Sequence, residues 1–318
     1  MIELTKEIIN GRRLNRNDDL DFLLTTDLEE LCMGADKIRK ELCGDKVDLC
    51  TIINGRSGGC SENCKFCAQS AHHNTEIKKY GFLDQDIIIE DCKRSEVNGV
   101  HRYSIVTAGR SLNGADFDKA VQAYKRMKEE CSINLCASHG FLSEEEFIRL
   151  KEAGVTMYHS NIETSKRNFH NICTTHSYED KIREIKLAQK VGLKVCSGGI
   201  IGMSETWEDR IDMAVSLYEL NVVSIPINVL MPIKGTPLET VKRISIEDIL
   251  RTIAIFRYIN PTSYIRMAAG RSYFQDGGKR IFCSGANATI TGDMLTTVGN
   301  NTYQDKIMLA DLGFNIEK

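Results

Sequence analysis

The sequence predicts an α/β fold, a (β/α)8 barrel of the TIM type carrying an N-terminal helical extension. Three observations predict it. Short β-rich runs alternate with amphipathic helical stretches from about residue 47 onward, and these runs number eight, the strand count of such a barrel. Only 4 prolines and no low-complexity stretch interrupt the 318 residues, so nothing reads as a linker to a second domain. Residues 1–45 read as helices on the outside of the barrel, and 46–318 as the barrel itself.

In order, strands are expected at 47–55, 102–109, 134–140, 156–163, 194–202, 224–231, 263–270 and 286–292. Helical stretches such as DFDKAVQAYKRMKEE, SEEEFIRLKEAG and YEDKIREIKLAQKVG carry apolar residues at a spacing near 3.6. Several begin on Ser, Thr or Asp and end at Gly154, Gly192 or Asn221, as caps require. The net charge of −3 offers no basic field for nucleic acid or an anionic membrane. No apolar run reaches about 18 residues, and the charged N-terminus lacks a signal-peptide core. A cytoplasmic protein with neither nucleic-acid nor membrane partners is expected. In that reducing compartment the 12 cysteines are metal ligands, catalytic groups or small buried apolar residues rather than disulfides.

Only three of those cysteines are tightly grouped, Cys60, Cys64 and Cys67 in CSENCKFC, just after the first strand. The C-terminal ends of barrel strands are where catalytic residues sit. Thiolates this close wrap a small ion or cluster. Zinc would want a fourth ligand, which His72 or His73 would have to supply. Three cysteines instead leave one iron of a 4Fe–4S cube open, and an open position implies a ligand that reacts there. The plainest reading, three chance core cysteines, explains neither the spacing nor the placement.

The C-x3-C-x2-C pattern with an aromatic at Phe66 resembles the signature of the radical S-adenosylmethionine superfamily. The resemblance implies that S-adenosylmethionine chelates the open iron. The reduced cube then passes it one electron, releasing methionine and a 5′-deoxyadenosyl radical. The runs CKFCAQS (64–70), ICTTHSYEDKI (172–182), KVCSGGIIG (194–202), SIPINVLMPIKGTPL (224–238), PTSYIRMAAGR (261–271) and GAN (285–287) are similar, in order, to those of the biotin synthase family. That family implies a barrel, commonly a homodimer, that inserts sulfur into dethiobiotin after two radical abstractions. An external one-electron reductant of the flavodoxin or ferredoxin type drives it, and a second, auxiliary iron–sulfur cluster donates the sulfur.

Cys136, Cys196 and Arg266 each lie about three residues into a strand, on the third, fifth and seventh strands. Alternate strands contribute inward side chains to one layer, so these three should meet on the barrel axis below the cube. Separately, each has an ordinary reading: a core thiol, or a buried Arg in an ion pair. The family's third auxiliary cysteine falls at Ser104 in this chain, a poor ligand for a soft iron–sulfur centre. Cys283, just before the eighth strand, is the expected replacement; a buried core cysteine is the alternative. Three thiolates on Cys136, Cys196 and Cys283 suit a four-iron auxiliary cluster, with 2Fe–2S as the family's default.

By the same resemblance, Asn161 and Glu163 bind the adenosyl ribose, and Asn228 contacts the ureido group of the substrate. Gly198 and Gly199 would let the backbone approach the adenosyl group. Arg183 meets the methionine carboxylate or is a solvated charge on its helix. The other cysteines, Cys50 and Cys173 among them, have no evident partners. Two competing functions stand: a relative of the hydrogenase-maturation or methylornithine synthase type without sulfur donation, and a cluster-holding electron carrier or sensor. The thiol-lined lower barrel argues against the first, and the Asn161, Glu163 and Asn228 set against the second.

Overall fold

The computed structural model describes residues 1–292 and 301–316. Its strands are β1 (Asp48–Arg56), β2 (Arg102–Thr107), β3 (Asn134–Ser138), β4 (Val155–His159), β5 (Lys194–Cys196), β6 (Gly199–Ile201), β7 (Ser224–Val229), β8 (Tyr264–Met267) and β9 (Ala288–Ile290). All pair in parallel. The order runs from β5 through β1 to β9 and back through β8 and β7, and a β5–β7 pairing closes the ring. This is the expected (β/α)8 barrel, with one refinement.

The fifth barrel strand, expected as 194–202, is two short pieces, β5 and β6. The cause lies opposite it, in Pro226 of β7. Even-numbered residues of β7 face the fifth strand, since Ile227 and Val223 give their carbonyls to the β8 side. Pro226 has no N–H to donate there, so the ladder stops after Cys196↔Ser224 and resumes at Gly199↔Ile227. In the gap the Pro226 carbonyl crowds the backbone, and a Cβ on Gly198 would lie 1.9 Å from its oxygen.

Helices follow the strands where apolar periodicity places them. Ser143 and Ser177 open capping boxes with Glu146 and Asp180, and Thr206 does the same with Asp209. Gly154, Gly192 and Asn221 stand just past three helix ends with positive φ, the left-handed cap expected of them. The N-terminal helices Ile2–Ile9 and Leu28–Cys43 lie outside the barrel, against the helix Ile246–Ile259. Ile8, Leu31 and Ile38 share one apolar core with the barrel's outer layer. Gly34 permits the close approach, for a Cβ there would fall 1.8 Å from the Tyr258 hydroxyl. Among the described residues no helix is long and apolar enough to cross a membrane.

Candidate radical and sulfur-donor site

A cavity of about 420 Å³ runs down the barrel axis. Cys60, Phe66 and Cys67 line its mouth, and Cys50, Cys136, Cys196 and Arg266 its depth. Asn161, Glu163 and Asn228 line it between, with an apolar wall of Val229, Leu230, Met231 and Ile233.

The mouth is built by the loop after β1. Cys60 N–H donates to the Gln69 carbonyl at 3.0 Å, and Cys67 N–H to the Cys64 carbonyl at 2.9 Å, which folds the three cysteines back on themselves. Burial pushes the Cys67 thiol up to about 11 and raises that of Cys60. Contact with Cys173 and then burial raise the Cys64 thiol. Without a metal these sulfurs keep their protons, so metal uptake must release them. His72 Nε2 pairs with the Ser61 carbonyl and His73 Nδ1 with that of Cys67, both at 2.9 Å, so one ring nitrogen of each is committed to the backbone of the cysteine loop.

The loop after β4 carries the next group. Asn161 Oδ1 accepts the Gly198 N–H at 3.0 Å, and its Nδ2 donates to Glu163 Oε2 at 3.3 Å. Glu163 holds a left-handed backbone (φ 67°), a costly conformation for a residue with a Cβ. Its N–H and carbonyl are tied to Gly198 and Ile200, which over-determine it. Burial raises its carboxyl, against Lys181 and Asn161. Asn228, on β7, donates to the Gly199 carbonyl at 3.3 Å and accepts the Ala269 N–H at 3.2 Å, leaving one N–H and one lone pair for a ligand.

Two expectations change here. Gly198 and Gly199 are buried and line no part of the cavity; their missing side chains make room for protein. A Cβ on Gly199 would lie 2.4 Å from the Glu163 carbonyl. Arg183 points away, exposed and paired with Asp180 on its own helix, Tyr178–Lys190. Lys181 is the cation at the mouth instead: its Nζ lies 3.4 Å from Ser160 Oγ and 4.8 Å from the Phe141 ring centre. Two residues along a helix is about 200° around it, so the two cations face opposite ways. Spacing from buried Tyr178, Ile185 and Ala188 would have found Lys181, which lies on their stripe.

The depth of the barrel corrects a third. Cys283 ends the short helix Lys279–Phe282, exposed and beside Asp36 and Lys40 of the outer helix Leu28–Cys43. It precedes β9 by five residues, on the outer layer, and so cannot join the axial set. Cys50 occupies that place. It is the third residue of β1, as Cys136 is of β3, Cys196 of β5 and Arg266 of β8. These are the first, third, fifth and seventh barrel strands, so four side chains from alternate strands form one layer. The same depth argument applied to VDLCTIING would have named Cys50. Ser104, on the second strand, is buried and lines the cavity beside Cys136, its cross-strand partner.

Charge in this layer is arranged around Asp48. Its carboxylate accepts from Arg102 Nε at 2.6 Å and from Arg266 Nη2 at 2.8 Å. Burial opposes its ionisation, but the two arginines outweigh burial and hold the carboxyl below its usual range. Arg266 also donates to the carbonyls of Asp48 and Thr289, and weakly to Ser224 Oγ, so most of its fork is spent on orientation. Burial pushes the Cys50 thiol up to about 11 and raises those of Cys136 and Cys196.

The chain matches the model of the radical SAM superfamily over residues 56–217, and that of the biotin and thiamin synthesis associated domain over 226–315. It is 80% identical over 316 residues to a biotin synthase of Clostridium beijerinckii, covering 99% of this chain and 100% of that one. The chain belongs to the biotin synthase family. A biotin synthase of Alkaliphilus metalliredigens is 68% identical over 314 residues, with 99% of each chain covered. Among solved structures, methylornithine synthase superposes with a TM-score of 0.84 at 22% identity, over 98% of this chain and 96% of that. The FeFe-hydrogenase maturase HydG from Carboxydothermus hydrogenoformans follows at 0.79 and 16%, over 98% and 79%. These two share the fold; the biotin synthases share the family. A 4Fe–4S cluster and S-adenosylmethionine follow from that membership.

Proposed function

We propose that this chain inserts sulfur into dethiobiotin, holding its radical-generating 4Fe–4S cluster on Cys60, Cys64 and Cys67. Its sulfur-donating auxiliary cluster lies on Cys50, Cys136 and Cys196. The observation that carries the second half is the four-membered layer from alternate strands: three thiols and one guanidinium at one depth. The donor set fits an iron–sulfur centre, since thiolates are soft ligands and the layer opens on the axial cavity. Three thiolates leave one iron of a four-iron cluster open. Arg266, fixed by Asp48, supplies positive charge beside the thiolates whether or not it also touches iron.

When bound, the upper cluster supplies an electron to S-adenosylmethionine and so the radical that activates carbon. The residues do the rest. Asn161 and Glu163 hold the ribose hydroxyls, Lys181 the methionine carboxylate, and Asn228 the ureido group. Val229, Leu230, Met231 and Ile233 give the aliphatic chain of the substrate an apolar wall, and keep water from a radical. Stacking the sulfur source beneath the mouth brings the activated carbon and the sulfur to one axis. A flavodoxin or ferredoxin would supply the electron from outside.

The test is anaerobic: reduced, cluster-loaded protein with S-adenosylmethionine and dethiobiotin should yield biotin. Cys50→Ser should keep about 4 irons per chain, against about 8 in the parent, and release 5′-deoxyadenosine without biotin. Cys283→Ser should match the parent in both. Auxiliary iron surviving in Cys50→Ser would remove this ligand assignment.

A further inference from the structure

One sulfur near the mouth has no place in this account. Cys173 follows the short helix Phe169–Ile172, is 4% exposed, and sets its Sγ 3.6 Å from Cys64 Sγ. The approach is built on both sides. Lys65 N–H donates to the Ile172 carbonyl at 2.9 Å. Asn63 N–H donates to Thr175 Oγ1 at 3.1 Å, and its Nδ2 to Thr174 Oγ1 at 2.6 Å. Glu62 accepts from Thr175 Oγ1 at 2.8 Å, and pairs with His176 Nδ1 and Arg110. The side chains of Glu62 and Cys64, the backbone and side chain of Asn63 and the backbone N–H of Lys65 are thus anchored to 172–176. Cys64, Cys173 and His176 form the single convergent cluster of such donors among the described residues.

We propose that Cys173 is a positioning residue of the radical-generating centre, donating an S–H hydrogen bond to the Cys64 sulfur and thereby setting the reduction potential of the cluster that Cys64 holds. This rests on the reading that Cys60, Cys64 and Cys67 bind that cluster. Without a metal Cys64 donates to Cys173; once bound to iron Cys64 has no proton, so the direction of this contact reverses and only Cys173 can donate. Its other acceptors are engaged. Asn63 Oδ1, at 3.4 Å from the Cys173 sulfur, already accepts the N–H groups of Thr174 and Thr175. Thr175 Oγ1 gives its proton to Glu62 and accepts the Asn63 N–H. His176 Nδ1, 3.3 Å from Cys173 Sγ, shares its proton between that sulfur and Glu62, and fixes the thiol's orientation. A donor on a ligand sulfur stabilises the extra negative charge of the reduced cluster more than the oxidised form. Hydrogen bonds to sulfur are among the factors that set such potentials. The contact therefore eases reduction.

The experiment compares the loaded parent with Cys173→Ala and Cys173→Ser. Each is titrated reductively while following the reduced-cluster EPR signal that S-adenosylmethionine perturbs, with iron content measured alongside. Cys173→Ala should keep its iron and shift the reduction equilibrium about tenfold toward the oxidised form, about 59 mV for one electron. Cys173→Ser, whose hydroxyl still donates, should recover most of the shift. An unchanged potential in Cys173→Ala at full iron would overturn the proposal, and so would loss of iron, which would make Cys173 a ligand. Failure of the underlying reading is separate: Cys64→Ala would then retain the signal.

Discussion

Glu163, Lys181 and Asp48 show how single residues set this site's chemistry. Glu163 keeps a backbone that few side chains accept because its N–H and carbonyl are both claimed by the fifth strand. That strain aims its carboxylate and Asn161 into one cavity. Lys181 lines the cavity, and Arg183 does not. Replacing Lys181 by Ala should weaken S-adenosylmethionine binding roughly 10- to 100-fold, the value of one charge-assisted hydrogen bond of about 1.5–3 kcal/mol. Arg183→Ala should leave it unchanged. Equilibrium binding to the oxidised holoenzyme checks both, and a loss in Arg183→Ala with none in Lys181→Ala would return the role to Arg183. Much at this scale was legible in the sequence: Cys60, Cys67, Asn161, Glu163, Asn228 and Cys136 all line the cavity. Lys181 was not, because choosing between two cations two residues apart requires knowing which helix face meets the barrel.

At the scale of elements, local chemistry decided boundaries and a neighbour decided one interruption. Capping boxes and left-handed ends are short-range devices, and they stand where the sequence places them. The break between β5 and β6 depends on Pro226, some thirty residues away, and only pairing reveals it. The helix Trp207–Glu219 illustrates a cap that also serves the site. Asp209 accepts from Thr206 N–H at 2.9 Å and from Ser165 Oγ at 2.5 Å, and so ties this helix to the loop after β4. Burial raises its carboxyl, but those hydrogen bonds outweigh burial and the net shift is downward. A depressed carboxyl stabilises the fold above its unfolded value of about 3.9, and the contribution is lost as pH falls through the folded value. Asp209→Asn should therefore cost about 1–2 kcal/mol at pH 7. The gap to the parent should close on acidification, as read by denaturant midpoints across pH. A gap independent of pH would show that charge at Asp209 contributes nothing.

For the whole molecule, the barrel closes on itself and its outer helices close on the N-terminal segment. Helices Leu28–Cys43 and Ile246–Ile259 approach at Gly34, where the Tyr258 hydroxyl fills the space of the missing side chain and bonds Thr5 Oγ1 at 2.8 Å. Arg251 reaches across to the carbonyls of Leu23 and Thr26. Gly34→Val should overpack this crossing and cost about 1–3 kcal/mol, seen as a lower melting temperature of the full chain. Tyr258→Phe in the same chain should recover part of the loss, because the two positions share one space. Simple additivity of the two changes would place the strain elsewhere.

The sequence by itself determined the alternation of strand and helix, the cysteine loop after the first strand, and most of the polar residues around the cavity. Those depend on periodicity, capping and spacing, which act over a few residues. Tertiary structure alone decided which thiols share a layer. Cys50 and Cys196 lie 146 positions apart in the chain, and their meeting follows from strand order, depth and closure. Cys283 is adjacent in sequence to the eighth strand yet outside the barrel, because the chain turns from helix to strand only after it. Proximity along the chain was a poor guide there; parity and depth within a closed sheet were the better one.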